Sequence, residues 1–578
     1  MADTLHFPPR RLSPGASVPH RLQGQAQAEY QAEAILKLRR LHQPQDEKRW
    51  PGASRDDVDQ GLRLACEWDL GLFGKTFVPH ICALPYNAVH TDYYALYRQR
   101  QGSRGHRDVV AAPRGSSKTT GCALLRTLHA ACYRTEWFIL YITNRAENAE
   151  EKVKQVRDEC DDNALLQRVY GPLRSALWNQ GHWRTPWAAW DGPACTTVLA
   201  AGRGSQLRGA TQRFQRPTLI LPDDVEHPEQ VLSELQRAHT RDWFFNDIVK
   251  LGTPRTNVEV SGTVLHPLSL LQDLLGPDNT GTPGWHGRLY RAVETFADAT
   301  ATPLWQQWRT LFLDKRQADH QERARAFYDA HRLAMTRNVR VLWEAQQDYY
   351  ALMVERLVDG ESAFWQEKQN QPLGDTRYLF AMDGAAYCRL TPQGIVAPHG
   401  FVPWLDVTDV AAFYDPALGR GGDCACCAIV AVDTAGYEYV LEAYCTNTDS
   451  PDDQATAIVD LLWRWQVPVL GVEANGFQSL LPKNLRAAIA QHARAVSQPW
   501  DVGLIPITHV RAKTLRIKTL EPPVSNGWLI FSATLPGECL RQMTDYLPAA
   551  TGGRDDFPDA LEGAIATLRG KYRKQDWI

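Results

Sequence analysis

The chain has 578 residues, too many for one hydrophobic core, so two or three domains are expected. With 44% hydrophobic and 22% charged residues and a formal net charge of −3, its composition is that of a globular protein, which excludes both a disordered chain and a uniformly basic one. No apolar run approaches the roughly 20 residues of a membrane span, no signal-peptide pattern opens the chain, and the twelve cysteines are scattered. The expectation is a protein of a reducing cytoplasm, without membrane contact and without a disulfide framework.

Residues 1–25 are rich in Pro, Arg, Ser and Gln, and Gln27–Leu41 has the periodicity of one amphipathic helix, so residues 1–75 read as an N-terminal arm. Phe77–Ile81 and Tyr86–Arg98 then bring apolar and aromatic residues forward, either as a cover for a nucleotide base or as plain core packing. Next comes an apolar strand over Val109–Ala112 and a turn of Pro113, Arg114, Gly115, Ser116 and Ser117. Lys118, Thr119 and Thr120 follow, and an apolar-periodic helix over Cys122–Ala131. Strand, phosphate-sized loop and helix N-terminus form an anion cradle: backbone N–H groups and the helix dipole point into the loop. Lys118 is placed to reach the outer phosphates of ATP, and the Thr119 hydroxyl to hold Mg²⁺. Ser117 stands where such loops ordinarily carry Gly.

Trp137–Thr143 reads as a buried strand, with Asn144 placed as N-cap of the polar helix Ala146–Cys160. A strand over Thr196–Ala201 leads into Gly202–Gly209. The apolar run from Pro217 ends in Asp223, Asp224 and Glu226, and Val258–Thr263 is a further strand. Strands alternating with helices predict a mostly parallel sheet with ligands at the strands' C-terminal ends. Asp223 would reach Mg²⁺ there, while a neighbouring acid orients the attacking water.

Residues 281–400 read as a connector with helical patches at Leu304–Leu313 and Ala324–Leu333. Beyond it, Val410–Asp415 is a strand ending in an acid, Gly419–Asp423 a turn and Cys424–Asp433 the return strand. Val467–Glu473 is another strand ending in an acid, and Asp555, Asp556 and Asp559 open the helix Ala560–Leu568. Acids in that order are the RNase H-like arrangement, in which three carboxylates hold two divalent metals about 4 Å apart for phosphodiester cleavage. Cys424, Cys426 and Cys427 read as packing in a buried strand, since no partner pair with zinc-ligand spacing follows nearby. Arg511, Lys513, Arg516 and Lys518 form an acid-free strip suited to phosphate contacts, which the tail Arg569–Lys574 would extend.

Taken in order, Pro113–Thr119, Gly204–Gly209, Leu219–Glu226 and Ser261–His266 resemble the large terminase subunit of tailed bacteriophages. The resemblance continues through Glu361–Pro372, which is similar to the segment preceding the terminase nuclease. It implies an α/β chain: a P-loop NTPase (RecA/ASCE-like) parallel-sheet domain over 76–280, the helical connector over 281–400, and an RNase H-like nuclease domain over 401–578. Within that frame Arg114 and Lys118 match the family's phosphate-loop spacing, and Glu226 or Asp224 the catalytic carboxylate of the ATPase. Ser261–Thr263 matches a motif coupling hydrolysis to movement. Asp415, Glu473 and Asp556 or Asp559 match the nuclease acids, which bind Mg²⁺ or Mn²⁺. The implied activity is ATP-driven packaging of double-stranded DNA into a procapsid, with cutting of concatemeric DNA. Implied partners are DNA, a small terminase subunit and the portal, with several copies in a ring. The place of action would be the host cytoplasm, transiently on the procapsid. Two other classes remain open. A helicase–nuclease of DNA repair would share both sites but should carry further helicase motifs, which are not found. A non-enzymatic nucleotide-switch scaffold would account for the phosphate loop but not for the strand-end acids.

Overall fold

The computed structural model describes residues 55–100, 103–187, 195–205, 207, 211–212, 215–276, 281–372, 374, 378–417, 424–447, 450–474, 481–548 and 554–570. The helix expected at Gln27–Leu41 lies outside them, as do Gln206, Arg208 and Gly209, the turn Gly419–Asp423 and tail residues 571–574. The chain forms two compact units. One takes the residues up to Glu294 with Val341–Asp348 and Gln366–Pro372; the other takes residues 295–340, 349–365 and the remainder. No helix among the described residues is long and apolar enough to cross a membrane.

The first unit is built on a seven-stranded sheet. Its order is His182–Arg184, Thr197–Gly202, Phe138–Thr143, Leu219–Pro222, Asn257–Gly262, Arg107–Ala111 and His286–Leu289. All neighbours run parallel except the first pair, as the alternation of strands and helices predicts. Central strands are continuous apolar runs because both faces are covered: every residue from Phe138 to Ile142 is buried. One face packs Phe73, Phe77, Leu128 and Tyr141, the other Phe244, Ile248, Leu274 and Trp285. Cys66, Leu70 and Phe73 are fully buried here, so the stretch from Cys66 to Phe73, expected within the arm 1–75, is part of this core. Asn257–Gly262 lies between the strand feeding the phosphate loop and the strand that ends in acids. Loop and acids therefore face each other across one strand's width.

One local expectation is corrected. The helix Ala146–Asp162 starts from an extended Arg145 with no side-chain cap. Asn144 lies one residue too early to reach the first amides, and its oxygen accepts from the Asn148 side chain at 2.9 Å instead.

The second unit carries a nine-stranded sheet with the order Gly400–Pro403, Gly394–Ala397, Ala386–Thr391, Leu529–Ser532, Glu438–Thr446, Ala425–Asp433, Val407–Asp415, Val469–Glu473 and Gly503–Ile507. Val407–Asp415, Ala425–Asp433 and Glu438–Thr446 form an antiparallel meander. Val469–Glu473 joins the free side of the first of these in parallel, and Gly503–Ile507 follows it. This is the RNase H-like strand order. The expected helical patches are present as the helices Thr302–Leu313 and His320–Met335. Against expectation, Cys426 and Cys445, opposite each other on neighbouring strands, are joined by a disulfide.

The helix Asp556–Leu568 lies directly on the strand Val407–Asp415 because two glycines make room for it. A Cβ on Gly563 would stand 2.5 Å from the Phe413 ring, and one on Gly471 would stand 2.7 Å from Thr567 Oγ1 and 2.8 Å from the same ring. Gly563→Ala should therefore destabilise the chain by about 1–3 kcal/mol through overpacking. Urea unfolding of the variant checks this; an unchanged midpoint would mean that the helix rides higher on the sheet than described.

Candidate functional site

The phosphate loop turns through two left-handed residues, Gly115 at φ 86° and Ser117 at φ 58°. Glycine adopts this region freely, whereas a residue with a Cβ is strained there by about 1 kcal/mol. Ser117→Gly should thus keep nucleotide binding and raise the melting temperature slightly, or leave it level, as read by thermal denaturation with and without ATP. Lost nucleotide binding would show that the Ser117 hydroxyl itself contacts phosphate.

The loop is clamped from outside. Asn87 Nδ2 donates to Ser116 O at 3.1 Å, and His90 Nε2 lies 3.3 Å from Ser117 O. The His90 ring sits so close over Gly121 that a Cβ there would meet it at 2.4 Å. Tyr86–Arg98, left open between two roles, thus packs against the loop's backbone. Within the loop, Pro113 O accepts from Ser116 N at 3.2 Å. Behind it, Thr119–Leu124 is wound as a wide π turn before the α-helix Leu125–Tyr133, and Thr119 and Thr120 are half-buried.

Lys118 is buried; its Nζ donates to Thr263 Oγ1 at 3.0 Å and lies 3.6 Å from the Asp224 carboxylate. Asp223 is buried at its strand end and accepts from Tyr141 Oη at 2.8 Å and from Ser261 Oγ at 2.5 Å. Burial, then the charge of Asp224, raises the Asp223 carboxyl above its ordinary range. Ser261 and Thr263 therefore hold the two principal groups, one each. Of the two acids weighed for orienting water, Asp224 is brought to Lys118. Glu226 is turned away: its oxygens accept the Leu270 and Leu271 N–H groups at 2.8 and 3.0 Å, at the start of the helix Leu270–Leu275.

A second lysine, missed from the sequence, also approaches the loop. Lys368 is buried, donates to Arg114 O at 3.3 Å and to Gln347 Oε1 at 3.1 Å, and its Nζ lies 3.8 Å from where a Gly115 Cβ would be. Arg114 N donates to Glu367 O at 2.9 Å, while its side chain is exposed. Asn370, left-handed at φ 50°, fixes the segment by accepting from Val264 N and donating to Tyr290 O, each at 2.8 Å. The only sequence signal for this was the resemblance of Glu361–Pro372 to a terminase segment.

In the second unit Asp415, Glu473 and Asp559 converge, each offering a carboxylate oxygen within 4.8 Å of the others. Register explains the first two: Tyr414 pairs with Val472, so Asp415 and Glu473 end parallel neighbours at the same sheet edge. The glycine contact described above brings in Asp559. Burial first, then Glu473 and Asp559, holds the Asp415 carboxyl well above the ordinary carboxylate range. Asp556 is buried in the helix's first turn but lies outside this group, and Asp555 pairs with Lys513 at 2.7 Å.

The basic strip needs correction. Lys513 and Arg516 lie three apart on the helix Lys513–Ile517, so one face carries both. Lys513 Nζ is 3.4 Å from Asp559, and Arg516 Nη1 is 2.6 Å from Asp559 and 3.0 Å from Glu562. Two of the four cations thus turn inward to the acids rather than outward as a strip. His509 was also missed; its ring lies 5.8 Å from Phe413, and burial, then Arg516, lowers its pKa.

Comparison with known proteins bears on the second unit. Residues 412–568 match the family model of the terminase RNase H-like domain, a span that includes Asp415, Glu473 and Asp559. No curated protein matches the chain. Among solved structures, the large terminase of a thermophilic bacteriophage aligns at 9% identity with a TM-score of 0.43, covering 84% of this chain and 99% of that one. The large terminase nuclease of the thermophilic phage G20c aligns at 13% identity with a TM-score of 0.22, covering 33% and 100%. The human cytomegalovirus terminase nuclease domain aligns at 15% identity with a TM-score of 0.24, covering 28% and 85%. Over residues 412–568 the resemblance to terminases is borne out by the family match, and the α/β fold class is the one expected.

Proposed function

We propose that the chain, whose residues 412–568 belong to the terminase RNase H-like domain family, is the large subunit of a viral DNA-packaging terminase. It would use ATP to drive double-stranded DNA into a procapsid and would cut concatemeric DNA at the start and end of packaging. The observation that carries this reading is the meeting of Asp415, Glu473 and Asp559 inside the matched domain, in a chain that also carries a phosphate loop.

In the ATPase, Lys118 exchanges its bond to Thr263 for the outer phosphates of ATP. Thr119 and Asp223 would hold Mg²⁺, which would offset the phosphates' charge, and Asp224, beside Lys118, would orient the attacking water. Ser261 in the strand Asn257–Gly262 and Thr263 immediately after it hold Asp223 and Lys118, so a change at the phosphates would reach this strand's end first. In the nuclease, three oxygen-donor carboxylates suit hard divalent cations, Mg²⁺ or Mn²⁺. Such cations supply charge stabilisation for the attacking and leaving oxygens of in-line cleavage. Lys513 and Arg516 hold Asp559 in place and offset the acids' charge. The partners in this reading are a small terminase subunit, the portal and further copies of the chain in a ring.

Purified chain should hydrolyse ATP faster when double-stranded DNA is added, and should nick plasmid DNA only with Mg²⁺ or Mn²⁺. No DNA-stimulated ATP hydrolysis and no metal-dependent nicking would overturn this reading, and nucleotide binding without any hydrolysis would favour the scaffold.

A further inference from the structure

The stretch Gln366–Pro372 belongs to the first unit, and main-chain bonds fix it there. Lys368 O accepts from Ala292 N at 2.7 Å, and Asn370 Nδ2 donates to Tyr290 O at 2.8 Å. Tyr290 N in turn donates to Ala111 O at 2.9 Å, at the end of the strand that feeds the phosphate loop. The stretch so anchored grips Arg114 on both sides: Glu367 O accepts from Arg114 N at 2.9 Å, and Lys368 Nζ donates to Arg114 O at 3.3 Å. Two residues on, Asn370 Oδ1 accepts from Val264 N at 2.8 Å, next to the Thr263 that receives Lys118. Gln347 aims the ammonium, since its Oε1 accepts from Lys368 Nζ at 3.1 Å. Burying an ammonium is costly unless hydrogen bonds replace its water. Here one of those bonds goes to the main chain of the phosphate loop itself.

The carbonyl and the N–H of one trans peptide point in opposite directions, and the Arg114–Gly115 peptide is trans. With Arg114 O turned to Lys368, the Gly115 N–H faces the other way. Gly115 stands at φ 86°, where glycine meets little resistance, so its own backbone sets that peptide plane only weakly. We propose that Lys368 is a positioning residue of the ATPase: by holding Arg114 O it turns the Gly115 N–H into the phosphate cradle. A hydrogen bond at one end of a peptide polarises the group at the other, so a cation on the carbonyl also strengthens the N–H as a phosphate donor. The inference rests on the phosphate-loop part of the reading above. It adds to Lys118 a second cation, one that acts through the main chain rather than on phosphate. Gln347 belongs to the same device because it fixes where the ammonium stands.

Steady-state ATP hydrolysis by the full chain, measured beside its nucleotide-free melting temperature, provides the test. Lys368→Met keeps the length of the buried stem and removes the ammonium. Loss of a group that orients another costs roughly 10–100-fold, and kcat/KM for ATP should fall by about that factor while the melting temperature stays close to the parent's. Gln347→Leu, at a half-buried site, should lose in the same direction by less. The double variant should be no worse than Lys368→Met alone, since both changes act on the same bond to Arg114 O. A purely structural lysine would instead lower the melting temperature and leave the ATP kinetics of the folded chain as they were. Parent-like kcat/KM in folded Lys368→Met overturns the inference. Should that variant not fold, parent-like kcat/KM in Gln347→Leu does the same. Fully additive losses in the double variant overturn it too, because the two residues would then act apart. A parent chain without ATP turnover sinks the ATPase reading and this inference with it, whereas an active parent matched by Lys368→Met sinks this inference alone.

Discussion

Asp415→Asn should abolish metal-dependent DNA cleavage while ATP hydrolysis continues at the rate of the parent chain. Asp415 is one of three acids whose oxygens lie within 4.8 Å of one another, and two strands and a helix are arranged to bring them there. Loss of a group that merely supports a metal ligand costs roughly 10–100-fold, so loss of a ligand should cost more than that. Glu473→Ala should behave in the same way. Asp559→Ala should lose cleavage and also some stability, because it takes from the buried Arg516 one of its two carboxylate contacts and leaves Glu562 as the other. Asp556→Ala separates the two helix acids: being outside the group, it should retain cleavage. Plasmid nicking measured beside ATP turnover checks all four. Full cleavage by Asp415→Asn would remove it from the metal site.

Lys118→Ala should reduce ATP hydrolysis by on the order of 100–1,000-fold, the usual cost of removing one preorganised charge from a transition state. The buried ammonium lies between Thr263 and Asp224, at the mouth of the loop. The neighbouring acids should then separate by phenotype. Asp224→Asn should bind ATP and fail to turn it over. Glu226→Ala should act chiefly on stability, losing about 1–3 kcal/mol as two buried N–H groups lose their acceptor. Steady-state turnover, nucleotide binding and thermal denaturation distinguish the three. A Glu226→Ala variant of normal stability but no turnover would reverse the assignment.

What could be read from the sequence was whatever local order determines. The phosphate loop and the acids at Asp223, Asp415 and Glu473 are each an apolar run followed at once by the functional residue, so strand, end and side chain were visible together. The choice between Asp556 and Asp559 was not visible, because it depends on how the helix is rotated on the sheet, and that is set by the contact of Gly563 with Phe413. Lys368 lies 250 positions from Lys118 (368 minus 118) in a polar stretch that only tertiary structure carries to the loop. The strand His286–Leu289 went unread because it is an edge strand, half-exposed and partly polar, without the apolar run that marks a central one. Lys513 and Arg516 read as part of a phosphate-contacting strip because no acid stands near them in the sequence; their acids arrive from a helix more than forty positions on (559 minus 516 is 43).

The central claim is that this chain pumps DNA with one unit and cuts it with the other. DNase protection in a procapsid assay, with the cognate portal and small subunit present, tests it most directly. The account predicts that the parent chain protects DNA in an ATP-dependent manner, that Lys118→Ala protects none, and that Asp415→Asn still protects DNA supplied as cut linear molecules. No protected DNA from a chain that hydrolyses ATP and cleaves plasmid in the same buffer would contradict it.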